Sequence, residues 1–144
     1  MKKLFVVLAM LAAMSASGQW QPDVRLTNNP AESNTSQSNA WSVAANENIL
    51  HLIWQDRRNG YDIYYKRSTD GGTSWGADIR LTGDSADAGT PALAVSGTFV
   101  HVAWIDHRFG SNQLFYKRSI DGGTSWGADT RLVNSTAGSY YPSI

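Results

Sequence analysis

An eight-residue sequence occurs twice in this chain with one substitution: Ser68-Thr69-Asp70-Gly71-Gly72-Thr73-Ser74-Trp75 and Ser119-Ile120-Asp121-Gly122-Gly123-Thr124-Ser125-Trp126. Each copy follows Tyr-Lys-Arg and precedes Gly-Ala-Asp. A short aspartate suits a tight turn because its carboxylate accepts hydrogen bonds from the backbone N–H groups of that turn. Paired glycines take positive φ without steric cost, as a tight strand connection often needs. The tryptophan that ends the motif carries a large apolar ring able to lock the turn against a sheet. The motif therefore constrains architecture strongly and chemistry weakly.

The duplication extends beyond the turn. His51-Leu52-Ile53-Trp54-Gln55-Asp56 corresponds to His101-Val102-Ala103-Trp104-Ile105-Asp106 at an offset of 50, and Asp70 to Asp121 at 51. One residue is therefore inserted in the second copy, near Ser111 and Asn112. Arg80-Leu81-Thr82, Arg131-Leu132-Val133 and Arg25-Leu26-Thr27 form three versions of one tail. Aromatic and β-branched residues with period-two alternation predict strands at 42–45, 49–55, 62–67 and 78–82 in the first unit. The second unit repeats them at 91–95, 98–105, 113–118 and 129–133. Four short strands per unit of about fifty residues is the pattern of a propeller blade. The expected fold class is all-β, a β-propeller of four-stranded antiparallel blades.

The repeated turn resembles the Asp-box, or BNR repeat, of the sialidase-like β-propellers. Both copies match at every defining position: Ser68, Asp70, Gly72, Trp75 and Ser119, Asp121, Gly123, Trp126. The resemblance covers nearly all of the chain after its first twenty residues and implies an extracytoplasmic propeller. It does not by itself imply a sialidase, since Asp-boxes occur in many other propellers. Closed propellers contain roughly four to eight blades. Here there are two full units, near 41–82 and 91–133, with partial ones at 22–27 and 139–144. Residues 19–144 are accordingly expected to be an incomplete propeller, the N-terminal part of a longer chain.

Residues 1–18 read as a signal peptide: Lys2 and Lys3, an apolar run over 4–14 too short to span a bilayer, then Ala16, Ser17 and Gly18. A secreted or cell-surface protein is implied, with no membrane insertion once the leader is cleaved. Loss of Lys2 and Lys3 leaves ten basic side chains against twelve acidic. No basic stripe remains, which excludes nucleic acid as a partner. The chain has no cysteine, so its stability must come from packing, to which six Trp, six Tyr and four Phe are suited.

In a propeller of this kind the Asp-boxes join third and fourth strands, and ligands are usually bound on the opposite face. Asp70 and Asp121 are therefore structural. The opposite face carries Trp-x-Asp-x-Arg-x-Gly twice, as Trp54, Asp56, Arg58, Gly60 and Trp104, Asp106, Arg108, Gly110. An arginine fork can grip a carboxylate, which makes Asp56, Arg58, Asp106 and Arg108 ligand-face candidates. A site needs different side chains from different units, whereas a structural device repeats, so the structural reading of these four is preferred. Arg57 and His107 differ between the units and are the better candidates. Glu32 joins them from a polar stretch, 28–39, read as a long fourth-to-first loop suited to sugar hydroxyls. No cofactor is implied. The histidines lack a partner cluster and the Asp-x-Asp-x-Asp-Gly spacing of a calcium loop is absent, so no metal is expected. Asn34-Thr35-Ser36 and Asn134-Ser135-Thr136 fit a glycosylation sequon.

The sialidases add a catalytic tyrosine with a glutamate, an acid/base aspartate and three arginines for the substrate carboxylate. The first arginine normally lies in Arg-Ile-Pro on an early inner strand, where this chain has Trp41-Ser42-Val43-Ala44. Glu47 falls in a first-to-second turn on the wrong face. The favoured expectation is a propeller that binds glycans or another extracellular ligand without catalysis. The alternative is an exo-sialidase whose catalytic residues lie largely beyond residue 144.

Overall fold

The computed structural model describes residues 22–35, 42–83, 87–134, 138 and 141–144. The leader at 1–18, Trp41, residues 36–39 of the polar stretch, and Ser135 and Thr136 of the second sequon lie outside the described residues. The described chain is all-β and contains no helix. The first antiparallel sheet holds β1 (Ser33–Asn34), β2 (Val43–Asn46), β3 (Ile49–Asp56), β4 (Asp62–Ser68) and β5 (Ile79–Arg80). The second runs in chain order through β6 (Ala88–Ser96), β7 (Phe99–Asp106), β8 (Gln113–Ser119) and β9 (Thr130–Arg131).

The two sheets share one register. β3 pairs with β4 from Leu50 opposite Ser68 to Asp56 opposite Asp62. β7 pairs with β8 from Val100 opposite Ser119 to Asp106 opposite Gln113. The extra residue of the second unit therefore sits in the β7–β8 connection, as the offsets predict.

The first strands differ. Both β1 and β2 pair with β3 on the same side: Ser33 lies opposite Asp56, Asn34 opposite Gln55, and Val43 opposite Leu52. In the second sheet the equivalent partners are Ala88 with Asp106, Gly89 with Ile105 and Leu93 with Val102, all on the continuous β6. Eight residues separate Asn34 from Val43 where three separate Gly89 from Leu93. The polar stretch therefore contributes β1 to the sheet rather than lying wholly in a loop ahead of it. Its polar sequence hides β1 because that strand is held by two ladder pairs and by Ser33, whose hydroxyl donates to Asp56 at 3.0 Å.

Residues 22–32 form no strand, although a fourth strand is expected at 24–27. The described residues offer that segment no third strand to pair with. Its Leu26 carbonyl nevertheless accepts a hydrogen bond from Lys66 Nζ at 2.7 Å, as the Leu81 carbonyl does from Lys117 Nζ at 2.6 Å. The tail of each unit thus sits against the third strand of the next unit in the same way.

Alternation along β3 and β4 divides the first sheet into two buried faces. Leu52, Trp54 and Tyr64 pack on one side with Leu26 and Trp75. Ile53, Ile63 and Tyr65 face the second sheet and join Leu93, Val100, Val102, Trp104 and Phe115 in the main core. The second copy of the repeated turn, 119–126, closes this interface. Trp126 meets Tyr65 edge to face with ring centroids 4.9 Å apart, and Arg67 Nη1 donates to the Gly122 carbonyl at 2.7 Å. Trp75 and Trp126 are half-buried, whereas Trp54 and Trp104 are the fully buried tryptophans. The motif tryptophans clip the turns from the side and the strand tryptophans fill the core.

Gly72 and Gly123 occupy the same turn position with φ of 91° and 81°. A Cβ on Gly72 would meet only the flexible end of Leu50, at 3.1 Å, while one on Gly123 would collide with the Tyr65 phenol. Both alanine variants incur the left-handed strain, and Gly123→Ala must also displace the inter-sheet contact. We expect Gly72→Ala to cost about 1–2 kcal/mol and Gly123→Ala about 3 kcal/mol or more in urea unfolding. Equal losses would mean that the sheets do not dock through this turn.

Candidate functional site

The β3 and β7 strands each end in a buried carboxylate. Asp56 is 0% exposed and Asp106 1%. Asp56 accepts from the Trp54 indole N–H at 3.0 Å, the Arg58 backbone N–H at 2.9 Å, and Arg58 Nε and Nη2 at 3.0 and 2.8 Å. Burial alone would raise this carboxyl, but the Arg58 guanidinium and the Trp54 indole outweigh it and hold Asp56 well below the usual carboxylate range. Arg58 also reaches Asp78 at 2.8 Å, Lys66 approaches the other Asp78 oxygen at 2.7 Å, and the guanidinium lies 4.2 Å over the Tyr64 ring. Two carboxylates and two cations thus form a neutral, mutually satisfied cluster.

The second unit repeats the cluster. Asp106 accepts from Trp104 Nε1 and from Arg108 Nε and Nη2 at 3.1, 3.0 and 2.6 Å. Arg108 Nη2 reaches Asp129 at 3.0 Å and lies 4.3 Å over Phe115. Lys117 stands 2.8 Å from the other Asp129 oxygen, an ion contact rather than an aligned hydrogen bond. The structure therefore places Asp56, Arg58, Asp106 and Arg108 together in pairs, each carboxylate and guanidinium engaged with its partner. Asp56→Ala should cost about 3–5 kcal/mol, because it strands Arg58 in a half-buried setting. A thermal or urea unfolding loss below 1 kcal/mol would show that the cluster does not hold the strand end.

The repeated Ser-x-Asp-x-Gly-x-x-Trp turns likewise hold their own aspartates. Ser68 Oγ donates to Asp70 Oδ1 at 2.7 Å, and Ser74 bonds the Asp70 carboxylate through its N–H at 2.8 Å and its hydroxyl at 2.6 Å. Asp121 is held the same way by Ser119 and Ser125. The Ser74 hydroxyl and N–H, with Ser68, hold the Asp70 carboxyl down at about 2. The folded chain thus takes up this proton less readily than the unfolded chain does. The resulting stabilisation is complete above about pH 4, the unfolded carboxylate value, and is lost as pH falls towards 2. Asp70→Asn should flatten the acid loss of stability in that window, followed as urea midpoints against pH. A variant with the parent slope would remove Asp70 from the acid response.

The remaining candidates stand at the opposite end of the sheets. Arg57 is exposed, donates to Glu32 Oε2 at 2.9 Å and covers the Tyr61 ring at 4.7 Å. The Asn34 amide, then Arg57, pull the Glu32 carboxyl below its ordinary value. His107 lines a cleft of about 310 Å³ between the two units. The first unit contributes Gln55 from the end of β3 and Tyr61 from the β3–β4 connection. The second contributes Asp87, Gly89 and Thr90 from the head of β6, Ile105 from β7 and Asn112 from the β7–β8 connection, and Tyr141 completes the wall. Two backbone bonds fix this geometry: Ala88 N–H to the Tyr61 carbonyl at 2.8 Å and His107 N–H to the Asp87 carbonyl at 3.1 Å.

The cleft is built from equivalent positions of successive units bearing different side chains. Tyr61 corresponds to Asn112 and Gln55 to Ile105 by the shared register. Thr90 and Tyr141 each precede a proline and share a left-handed φ, at 47° and 54°. Asp87 is the counterpart of Glu32, since each carbonyl receives the N–H that follows the buried aspartate. Sequence reading found His107 and missed Gln55, Tyr61, Asp87, Thr90, Asn112 and Tyr141. The criterion that singled out His107, difference between aligned units, would have found most of them if applied along the whole repeat.

The cleft offers amides, hydroxyls, one imidazole and one carboxylate beside two tyrosine rings. The Thr90 hydroxyl oxygen is buried and has no hydrogen-bond partner among the described residues. No group of three or more metal-ligating side chains occurs among the described residues. Among the described lining residues Asp87 is the single carboxylate. In comparisons with known proteins, no family model, no curated protein and no solved structure matched the chain.

Proposed function

We propose that this chain is part of a secreted or cell-surface β-propeller of the sialidase-like, Asp-box type that binds a glycan or another extracellular ligand without cleaving it. The single observation that carries the binding role is the cleft between the units, with its polar groups and two tyrosine rings at the end remote from the Asp-boxes. Amide, carboxylate and hydroxyl groups suit sugar hydroxyls, and tyrosine supplies a flat apolar face with a polar tip. Two features support the propeller reading. The sheets repeat one register at an offset of 50–51 residues, and the lysine-to-tail bond recurs from Lys66 to Lys117. The leader at 1–18 supports export.

The non-catalytic reading rests on commitment of the repeated arginines, Arg58 and Arg108, to Asp56 and Asp106. Two measurements on the full chain test the proposal. A glycan panel should show saturable binding, and a sialoside with a fluorescent aglycone should show no release above buffer. Release that scales with protein concentration would make the protein a hydrolase; absence of any saturable glycan binding would remove the glycan reading.

A further inference from the structure

We infer that the cleft selects uncharged sugar units and rejects acidic ones; this rests on the glycan reading and names the class of sugar. The argument is one of charge. Asp87 is the only carboxylate among the described lining residues, and no lysine or arginine lines the cleft with it. An acidic sugar needs a cation, best an arginine fork, to offset desolvation of its carboxylate. Each arginine within reach of this end of the sheets is already engaged. Arg58 and Arg108 are held by Asp56 with Asp78 and by Asp106 with Asp129. Arg80 is paired with Asp62 at 2.8 Å, and Arg57, exposed over the Tyr61 ring at the rim of the cleft, is paired with Glu32 at 2.9 Å. Arg131 donates to Gln113 Oε1 and the Val133 carbonyl at 2.9 and 3.1 Å and lies over Phe109. Arg67 and Arg118 are next to Ser68 and Ser119, at the Asp-box end.

What the cleft does offer fits an uncharged polyol. The Asp87 carboxylate can accept two hydroxyl hydrogens, and charge assistance makes these the strongest bonds available to a neutral sugar. The Gln55 and Asn112 amides each both donate and accept. Tyr61 and Tyr141 flank the same space and supply flat faces for the C–H side of a pyranose ring. A carboxylate brought beside Asp87 meets like charge where a hydroxyl meets an acceptor.

The test is a titration of the full chain followed by the imidazole C–H resonances. Three histidines give three Cε1–H signals, and His107→Gln assigns the one in the cleft. His51 and His101 are tied to the Tyr65 and Tyr116 hydroxyls at 2.7 and 2.6 Å and report elsewhere. Lactose, N,N′-diacetylchitobiose and mannobiose serve as neutral probes, N-acetylneuraminic acid and glucuronic acid as acidic ones. The expected result is saturable movement of the His107 signal by at least one neutral probe, with both acidic probes at least tenfold weaker. Asp87→Ala should weaken the neutral probe tenfold or more and narrow the gap to the acidic ones. Glu32→Gln, which releases Arg57, should strengthen the acidic probes. Acidic probes that equal or exceed the neutral ones at His107 would overturn the inference while leaving glycan binding intact, as would a neutral sugar that binds without moving His107. No binding by any probe would overturn the glycan reading itself.

Discussion

A carboxylate buried at the end of a central strand is expensive unless every lone pair is used. Asp56 and Asp106 meet that demand with the same three donors: a tryptophan indole two residues earlier, and the backbone N–H and guanidinium of an arginine two residues later. Much of the fold follows from satisfying them. The indole bond fixes the rings that fill the core, and the arginine must turn back over the strand end, which sets the path of the β3–β4 and β7–β8 connections. Because the arginine is then drawn to Asp78 or Asp129, and that aspartate to a third-strand lysine, the fourth-strand side is tied to the centre. The lysine closes the chain of contacts by reaching the tail of the preceding unit.

Repetition and difference divide the labour. Devices present in both units, namely the buried aspartate cluster, the Ser-x-Asp-x-Gly-x-x-Trp turn and the histidine–tyrosine bond, direct their carboxylates, guanidinium groups and hydroxyls at one another. They stabilise the sheets and leave nothing over for a ligand. The positions that differ gather where one unit's connections meet the next unit's first strand. There Tyr61 faces the space shared with Asn112, and Thr90 that shared with Tyr141. A site made in this way is asymmetric even though its scaffold repeats.

The repeat made the strands legible. Period-two patterning and the fixed offsets located β2 to β4 and β7 to β8 to within one or two residues, because each sheet buries at least one face and a one-residue slip would turn that face to solvent. The first strand of unit one escaped, since Ser33 and Asn34 read as loop and their pairing with Gln55 and Asp56 is long-range. The motif tryptophans were legible as clips but not in their degree of burial, which depends on how far the second sheet approaches the first. Glu32, Arg57 and His107 were legible as outward-facing. Which of them lines the cleft was not.

The sequence by itself determined the all-β class, the duplicated unit and the hydrogen bonding of the aspartate within each repeated turn. These depend on residues a few positions apart, whose spacing fixes geometry through local turn and strand chemistry. The meeting of Gln55 and Tyr61 with Asp87, Thr90 and Asn112 was decided only by the tertiary structure. Those side chains come from strand ends up to fifty-seven residues apart. Their convergence depends on the angle and separation at which two sheets pack, a quantity set by the fit of Tyr65 against Gly123 and of Trp126 against Tyr65. No local pattern encodes that fit.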